Sequence, residues 1–320
     1  MKSILGLMGD VMIGRLVNET LRTVSPEWVW GDLLPLLRST QCNFCNLEAA
    51  LTTRGSPQPK VFTFRSDPSH AEVLNQAHIQ GVNLANNHVL DYGLPGLEDT
   101  FTTLDQAAIG RVGAGHTLAE ACEPLLLKCH PFTLGVIGAT DNEPGWAATS
   151  DQPGTRYLPI GDASLLSLPQ NVDWCAASLH WGPNMVERPP AAHRRFAHDL
   201  VQAGFRLIHG HSAHNFQGIE VLNRSLILYD TGDLLDDYAV HPDLRNDLSF
   251  LFLVEIDSQG PCRLACIPTA ISNCQVNHAQ GRDRDWALNR MVALSAELGT
   301  RLELASSGWV ESPHLLLTIR

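Results

Sequence analysis

The stretch ILGLMGDVMIGR, residues 4–15, decides the fold, because its short apolar run ends abruptly in Gly9 and Asp10. The same pattern recurs along the chain. The further runs are CNFCNLE (42–48), GVNLANN (81–87), LGVIGAT (134–140), WCAASLHWG (174–182), FRLIHGH (205–211) and SLILYDTGD (225–233). Short apolar runs that end in polar residues are typical of buried strands. Ligand sites in open α/β sheets lie outside the carboxyl ends of strands, so the pattern predicts a site where these polar ends meet.

Amphipathic segments alternate with these runs and predict an α/β or α+β sheet protein. Helical spacing of apolar residues begins after Gly93 and again after Pro190, and a third helix is predicted within 282–299. SFLFLVEID (249–257) and CRLACIPTAI (262–271) read as two paired strands around a turn.

The composition favours one domain of ordinary globular character. The chain has 320 residues and is 44% hydrophobic, which is enough to bury a large core. The segment with the most turn residues, 141–157, fits a domain boundary and a mobile loop at the rim of a site equally well.

The formal net charge of -12, without any run of Lys or Arg, argues against nucleic acid or an anionic membrane as partner. A small acidic or peptidic substrate is the expected ligand. The N-terminal apolar stretch is short and leads into a charged motif, which indicates a first strand instead of a signal peptide. No segment approaches the roughly 20 apolar residues of a membrane span, so we expect a cytoplasmic protein.

The eight cysteines predict no chemistry. They stand singly in apolar segments, and the pair Cys42 and Cys45 has no second CxxC partner as a zinc site would need. We therefore expect buried free thiols.

The polar strand ends supply the ligand types that Mn, Fe or Zn ions bind, and two such ions need a carboxylate that bridges them. We expect one or two divalent ions. The candidate ligands are Asp10, Glu48, Asn87, His180, His211 and His214. Each alone has a structural explanation, such as a helix cap for Asp10, a turn for Asn87 or a core histidine for His180. Their joint occurrence favours a site, because buried polar groups without partners are costly.

The ordered motifs GD, NLEAALT, FTFR, LANNHVLDYG, HWG, GHSAHNFQGIE and LYDTGD resemble the CapA family of bacterial poly-γ-glutamate capsule synthesis proteins, which is related to calcineurin-like metallophosphatases. The resemblance covers about residues 3–257. It implies an α+β fold of four layers, an αββα sandwich, as a single domain over 1–320, with strands and a helix of 258–320 packed on the core.

The resemblance also implies roles for the candidate ligands. One ion would take Asp10, Glu48 and His214, and the other would take Glu48, Asn87, His180 and His211. Glu48 would bridge the two ions, and His88 would be the general acid, so that His88, Asp10 and Glu48 form the catalytic set. Three positions depart from the metallophosphatase pattern: Met12 stands where a histidine is usual, Glu48 replaces an aspartate, and Ser212 replaces a further histidine.

Other polar residues near the motifs are candidates for contact with substrate. Arg15 and Arg65 have the geometry to bind a carboxylate or phosphate, although Arg15 also suits a solvated surface cation. Asp141 and Asn142 follow a strand end and are expected in the pocket. The expected supporting residues are Asp91 and Tyr92, which would fix His88, and Asp230 and Asp233, for which supporting and loop-capping roles are equally expected.

The function that follows is a metal-dependent hydrolase of a phosphoester or of a γ-glutamyl or peptide amide, linked to poly-γ-glutamate or capsule metabolism. Two alternatives stay open. A metal-independent acid/base enzyme of the peptide epimerase kind would use Glu48 with His88 or His214, and a non-catalytic biosynthesis component would only bind polyglutamate.

Overall fold

The structure is a computed structural model that describes residues 2–163, 166–305 and 314–319. Strands make up most of its regular structure. They are β1 (Ser3–Val11), β2 (Cys42–Leu47), β3 (Ala50–Leu51), β4 (Arg65–Ser66), β5 (Ile79–Asn83), β6 (Gly110–Val112), β7 (Ala114–Gly115), β8 (Leu125–Cys129), β9 (Phe132–Thr140), β10 (Gly154–Thr155), β11 (Trp174–His180), β12 (Leu207–His211), β13 (Ile219–Leu222), β14 (Ser225–Leu228), β15 (Asp233–Leu235), β16 (Leu248–Asp257), β17 (Gly260–Ser272), β18 (Gln275–His278), β19 (Glu303–Ala305) and β20 (His314–Thr318).

Helices connect many of these strands. They are α1 (Arg15–Leu21), α2 (Leu34–Ser39), α3 (Glu72–Gln76), α4 (Gly93–Gln106), α5 (Leu118–Ala121), α6 (Ala191–Ala203) and α7 (Gly281–Glu297), with 3-10 turns at Trp28–Leu33, Pro68–Ala71 and Pro144–Trp146. The predicted helices after Gly93 and Pro190 and within 282–299 are thus all present.

Two large sheets carry the fold. The first, called the large sheet, has the order β19-β20-β17-β16-β1-β2-β5-β6, with β15 also paired to β1 and β18 to β17. Its strands β1, β2, β5 and β6 run parallel, whereas β16, β17, β20 and β19 pair antiparallel. The second, called the small sheet, has the order β13-β14-β12-β11-β9-β8 with a parallel centre.

The two sheets pack face to face between helices, which confirms the expected four-layer fold. An apolar cluster between the sheets joins residues such as Phe44 and Phe252 of the large sheet to Leu134 and Leu207 of the small one, and α7 adds Met291 to it. Helices α1 to α4 cover the outer face of the large sheet, and α6 covers that of the small sheet. Because both sheets are covered on both faces, their central strands are mostly apolar, and many of their polar residues stand at strand ends.

The end of β1 is fixed by a close backbone approach. The amide of Asp10 donates to the carbonyl of Gly232 over 2.9 Å. A Cβ atom at Gly9 would lie 1.8 Å from the same carbonyl oxygen, so only glycine fits there. This contact sets Asp10 beside the turn that precedes β15.

The cysteines correct one prediction. Cys42 on β2 and Cys129 on β8 form a disulfide between the two sheets, with 5.3 Å between their Cα atoms, so these two are not free thiols. The other six cysteines are free as expected. Spacing gave no sign of the pair, because 87 residues separate the partners and only the stacking of the sheets brings them together.

No helix among the described residues is long and apolar enough to cross a membrane.

Candidate metal centre

Asp10 lies at the middle of a buried polar centre where the ends of both sheets meet. Its side chain is fully buried at the end of β1. One carboxylate oxygen, Oδ1, accepts from Asn46 Nδ2 at 2.8 Å and lies 3.7 Å from His211 Nδ1. The other, Oδ2, accepts from the Ser212 amide at 3.2 Å and lies 3.7 Å from His214 Nδ1. The two oxygens of Asp10 therefore face two different histidine groups.

The first ligand group consists of Asp10, His180 and His211. His180 ends β11 and His211 ends β12, and the two are register partners in the small sheet. Their Nδ1 atoms are 3.0 Å apart, and His180 Nε2 lies 3.0 Å from Asn87 Oδ1. Burial holds the pKa of both imidazoles well below the ordinary value, so both are neutral, as metal ligands must be.

The second ligand group consists of Asp10, Glu48, His214 and Asp233, whose ligand atoms all lie within 4.8 Å of one another. Asp233 Oδ1 is 3.0 Å from His214 Nδ1. Sequence reasoning placed Asp233 among the supporting and loop-capping residues, whereas the structure places it in a group of candidate metal ligands. The run SLILYDTGD could have indicated this, since Asp233 ends it as other candidate ligands end their strands.

Glu48 provides the observation that tests whether a metal fits. The residue is fully buried, and neither carboxylate oxygen has a hydrogen-bond partner among the described residues. One oxygen of Asp233 is orphaned in the same way. Burial, together with the neighbouring Asp10 charge, raises the pKa of Glu48 well above its ordinary value. Unpaired buried carboxylates are costly, and a divalent cation held by Asp10, Glu48 and Asp233 would remove that cost. The donor set thus fits a metal.

The shared carboxylate differs from the one that the resemblance implied. Asp10 belongs to both groups, whereas Glu48 belongs only to the second. The longer side chain of Glu48 instead reaches toward His88, with 3.7 Å between Oε1 and the histidine Nε2. The roles of the ligand residues accordingly stay predictions.

Met12 contributes to neither ligand group. Its buried sulfur accepts from the Gly14 amide at 3.0 Å, within the turn that leads into α1. Ser212, another of the three departures, donates its backbone amide to Asp10. Residue 12 thus provides no imidazole to the second group, whereas Asp233 adds a carboxylate to it.

His88 lies in a hydrogen-bonded chain beside the second group. Its Nδ1 is 2.5 Å from Asp91 Oδ2, and Asp91 also accepts from Lys60 Nζ at 3.0 Å. The His88 ring stacks on Phe64 with 3.9 Å between centroids. Burial lowers the pKa of His88 to about 4, so the ring is neutral at pH 7. With Nδ1 donating to Asp91, its Nε2 is free to accept a proton on the Glu48 side.

A cavity of about 500 Å³ opens over the centre. It gives access to both His88 and His214. Its lining residues are Arg15, Lys60, Val61, Phe62, Phe64, Asn87, His88, Asn184, Met185, His214, Tyr238, Ala239 and Asn246. The size and the mixture of aromatic and polar walls are typical of a small-molecule site.

Tyr238 is a cavity residue that sequence reasoning missed. Its ring meets the His214 ring edge-on at 5.0 Å and lies 5.7 Å from Phe64. Its hydroxyl is buried without a hydrogen-bond partner among the described residues. A buried phenol normally finds a partner, so this unpartnered hydroxyl beside the cavity is a candidate contact for a ligand.

The four residues proposed for substrate contact fall in different places. Arg15 lines the cavity. Arg65 does not, since its guanidinium lies over the Tyr92 ring at 4.6 Å. Asp141 accepts from the Gly182 amide and pairs with His193 at 3.2 Å, and Asn142 donates to the carbonyl of His180. Asp141 and Asn142 thus hold the turn after His180 and do not line the cavity.

Comparison with known proteins gives a family and several relatives. The family model described as bacterial capsule synthesis protein PGA_cap matches residues 4–238. A Mycobacterium tuberculosis protein named "Probable polyglutamine synthesis accessory protein" is 31% identical over 317 residues, which is 92% of this chain and 83% of the relative. The "PGA biosynthesis protein CapA" of Bacillus subtilis is 27% identical over 238 residues, 72% of this chain and 62% of the relative.

Two solved structures are similar at low identity. The protein TT1561 of Thermus thermophilus aligns with a TM-score of 0.43 and 11% identity, over 81% of this chain and 100% of the other. A purple acid phosphatase from yellow lupin seeds aligns with a TM-score of 0.39 and 9% identity, over 87% of this chain and 53% of the other.

Proposed function

The chain belongs to the bacterial capsule synthesis protein PGA_cap family, and we propose that it is a metal-dependent hydrolase within poly-glutamate metabolism. The observation that carries this proposal is Glu48, a fully buried carboxylate whose two oxygens have no hydrogen-bond partner among the described residues, in the second of two groups of candidate metal ligands. The link to polymer synthesis is supported by the names of two relatives, which print polyglutamine synthesis in one case and PGA biosynthesis in the other. The substrate bond is a phosphoester or a γ-glutamyl or peptide amide.

The proposed ligands divide by group. Asp10, His180 and His211, with Asn87 alongside, would hold one Mn, Fe or Zn ion, and Asp10, Glu48, His214 and Asp233 would hold the other. Such ions supply Lewis acidity and lower the pKa of water.

His88 would move the proton of the reaction. Its Nε2 accepts a proton at the cavity floor, and Asp91 stabilises the imidazolium that results through the 2.5 Å contact with Nδ1. Protonated in this way, His88 becomes the general acid for a leaving group. Lys60, bound to Asp91 and to the carbonyl of Asn87, fixes the orientation of the pair.

The test is hydrolysis of an aryl phosphate and of a γ-glutamyl anilide by the metal-loaded protein. We expect slow turnover of at least one of the two, lost on chelation and restored by Mn, Fe or Zn. His88→Ala should lower kcat by about 100-fold or more while metal content stays the same. No turnover of either substrate by a protein shown to hold metal would count against a hydrolase.

A second candidate function is a metal-independent acid/base enzyme. It is favoured by Met12, which offers no imidazole to a metal, and by the contact of His88 with Glu48. An enzyme without metal would use His88 and Glu48, 3.7 Å apart, as an acid/base pair at a peptide Cα. Turnover that survives removal of all metal would favour this epimerase-like function.

A further inference from the structure

The mouth of the cavity differs in charge from the rest of the molecule. The chain as a whole carries a formal charge of -12, yet the lining contains Arg15 and Lys60 and no carboxylate. The acidic residues of the centre lie below this lining. A cation in such a lining attracts an anion even on an acidic protein, because nearby charges dominate inside a cleft.

We propose that Arg15, together with Phe62, forms a subsite for a carboxylate that the substrate carries on an apolar stem, apart from the bond that is cleaved. The inference deepens the proposed function, on which it rests, by naming the substrate class that the same cavity admits.

Arg15 is held in place before any ligand binds. It takes a left-handed backbone conformation, with φ of 48°, at the start of α1. Its Nε lies 3.4 Å from Asp237 Oδ1, and its guanidinium carbon lies 5.5 Å from the Phe62 centroid and 5.8 Å from the Phe64 centroid. A non-glycine residue in this conformation is uncommon and concentrates at functional sites. The fixed orientation reduces the entropy lost on binding.

The terminal nitrogens of Arg15 have no hydrogen bond to any described residue, and the side chain is 36% exposed. Asp237 approaches the guanidinium most closely at Nε, and it also accepts a hydrogen bond from the Leu16 amide at 2.8 Å. Two parallel N–H groups match the two oxygens of a carboxylate. The open edge of the guanidinium is therefore suited to a carboxylate.

Lys60 cannot serve as a second cation for the same ligand. Its ammonium pairs with Asp91 at 3.0 Å, donates to the carbonyl of Asn87 and lies 4.6 Å from the Trp146 ring centroid. A single available cation favours a monoanionic carboxylate over a phosphate dianion.

The apolar part of the proposed ligand follows from two exposed side chains. Val61 is 90% exposed and Phe62 is 58% exposed, and both line the cavity next to Arg15. A methylene stem that covers them removes apolar surface from water. The subsite thus combines a charged end with an apolar wall.

Matched ligands test the subsite. Phosphonates with stems of two, three or four methylene groups that end in a carboxylate are compared with their carboxamide counterparts, by calorimetry on manganese-loaded protein whose metal content is measured. We expect the best carboxylate to bind about tenfold more tightly than its amide. Arg15→Gln should abolish this preference and leave the amide Kd within about threefold, since only the charged contact is lost. Arg15→Lys should keep part of the preference, because it retains the charge without the fork.

Control variants and outcomes separate the subsite from the metal centre. Arg111→Gln, which removes an arginine that stacks on Phe101 and does not line the cavity, should keep the preference. Three results would overturn the subsite alone. They are equal binding of carboxylate and amide by metal-loaded wild type, a carboxylate preference that persists in Arg15→Gln, and a preference that is lost only in Arg65→Gln. Protein that takes up no metal and binds neither ligand overturns the proposed function and the subsite with it.

Discussion

At the scale of single residues, Tyr238 is a side chain that no sequence motif marked and that lines the cavity. Its hydroxyl is buried and unpartnered among the described residues, beside His214. Tyr238→Phe should weaken binding of a tetrahedral oxyanion by about tenfold, while stability stays equal or rises, because an unsatisfied buried hydroxyl costs about 1–3 kcal/mol. Anion titration and thermal unfolding measure the two effects.

Tyr229 is the matched control for Tyr238. It is also buried, but its hydroxyl donates to Glu220 at 2.6 Å. Tyr229→Phe should lower the free energy of unfolding by about 1–3 kcal/mol and leave anion binding unchanged. A fall in stability for Tyr238→Phe as large as that for Tyr229→Phe would contradict the idea of an available hydroxyl.

The pH dependence of metal binding follows from the buried acids. Burial raises the pKa of Asp10 to about 6 and that of Asp230 to about 8, and that of Glu48 rises as well. A carboxyl with a raised folded-state pKa stabilises the fold at low pH, and this stabilisation is lost as the pH rises from the unfolded value through the folded one. Metal-free protein should therefore lose stability between about pH 4 and pH 8, whereas bound metal replaces the protons.

The measurement is the difference in Tm between metal-loaded and metal-free protein at pH 5.5 and pH 8. We expect the larger difference at pH 8. His209, whose pKa burial lowers to about 4, should be neutral in both folded forms at these values and cancels from the comparison. A metal-induced shift that is larger at pH 5.5 would be inconsistent with proton displacement from these acids.

Sequence reasoning found many residues of the centre because each follows an apolar strand. Asp10, His180 and His211 come together as strand ends should. Asp233 was not recognised as a candidate ligand, since its 3.0 Å contact with His214 joins two separate turns and spacing along the sequence does not show it. Arg15 and Arg65 looked equivalent in sequence, and only the position of each guanidinium relative to the cavity separates them.

At the scale of secondary-structure elements, the junction of β1 with β15 positions the centre. Gly9→Ala would place a Cβ 1.8 Å from the Gly232 carbonyl oxygen. We expect a loss of about 1–3 kcal/mol or more in the free energy of unfolding, because one strand has to shift, and a weaker metal affinity because Asp10 shifts with it. Chemical denaturation and metal titration measure the two.

Gly145→Ala is the control at this scale, since its added Cβ meets nothing within 4 Å. It should change stability by less than about 0.5 kcal/mol. Equal stability of the two alanine variants would show that the β1–β15 junction does not constrain the site.

Element types were predictable because long periodic segments carry a strong signal. Helices α4 and α6 and the paired strands β16 and β17 appear where apolar spacing placed them. The disulfide between Cys42 and Cys129 was not predictable, because it depends on how β2 and β8 stack across two sheets. A disulfide between two sheets produces no periodic pattern in a single sequence.

At the scale of the whole molecule, we propose a single folding unit over residues 1–320. This proposal is supported by strand β17, which pairs with both β16 and β20, so that described strands of the C-terminal part extend the large sheet. Tryptophan fluorescence and far-UV circular dichroism should give coincident unfolding transitions. Two separated transitions would indicate two domains. Cytoplasmic location stays a prediction.

The metal centre is tested most directly by measuring bound metal per chain in wild type and in Glu48→Gln, after loading with Mn, Fe or Zn and removal of excess ion. Wild type should hold one or two equivalents, and the variant should lose at least the ion of the second group. Above the ordinary pKa of a glutamate, metal-free Glu48→Gln should be more stable than metal-free wild type, since wild type has either to protonate Glu48 or to bury its charge. Wild type that retains under about a tenth of an equivalent, with His211→Ala indistinguishable from it, would contradict a metal centre.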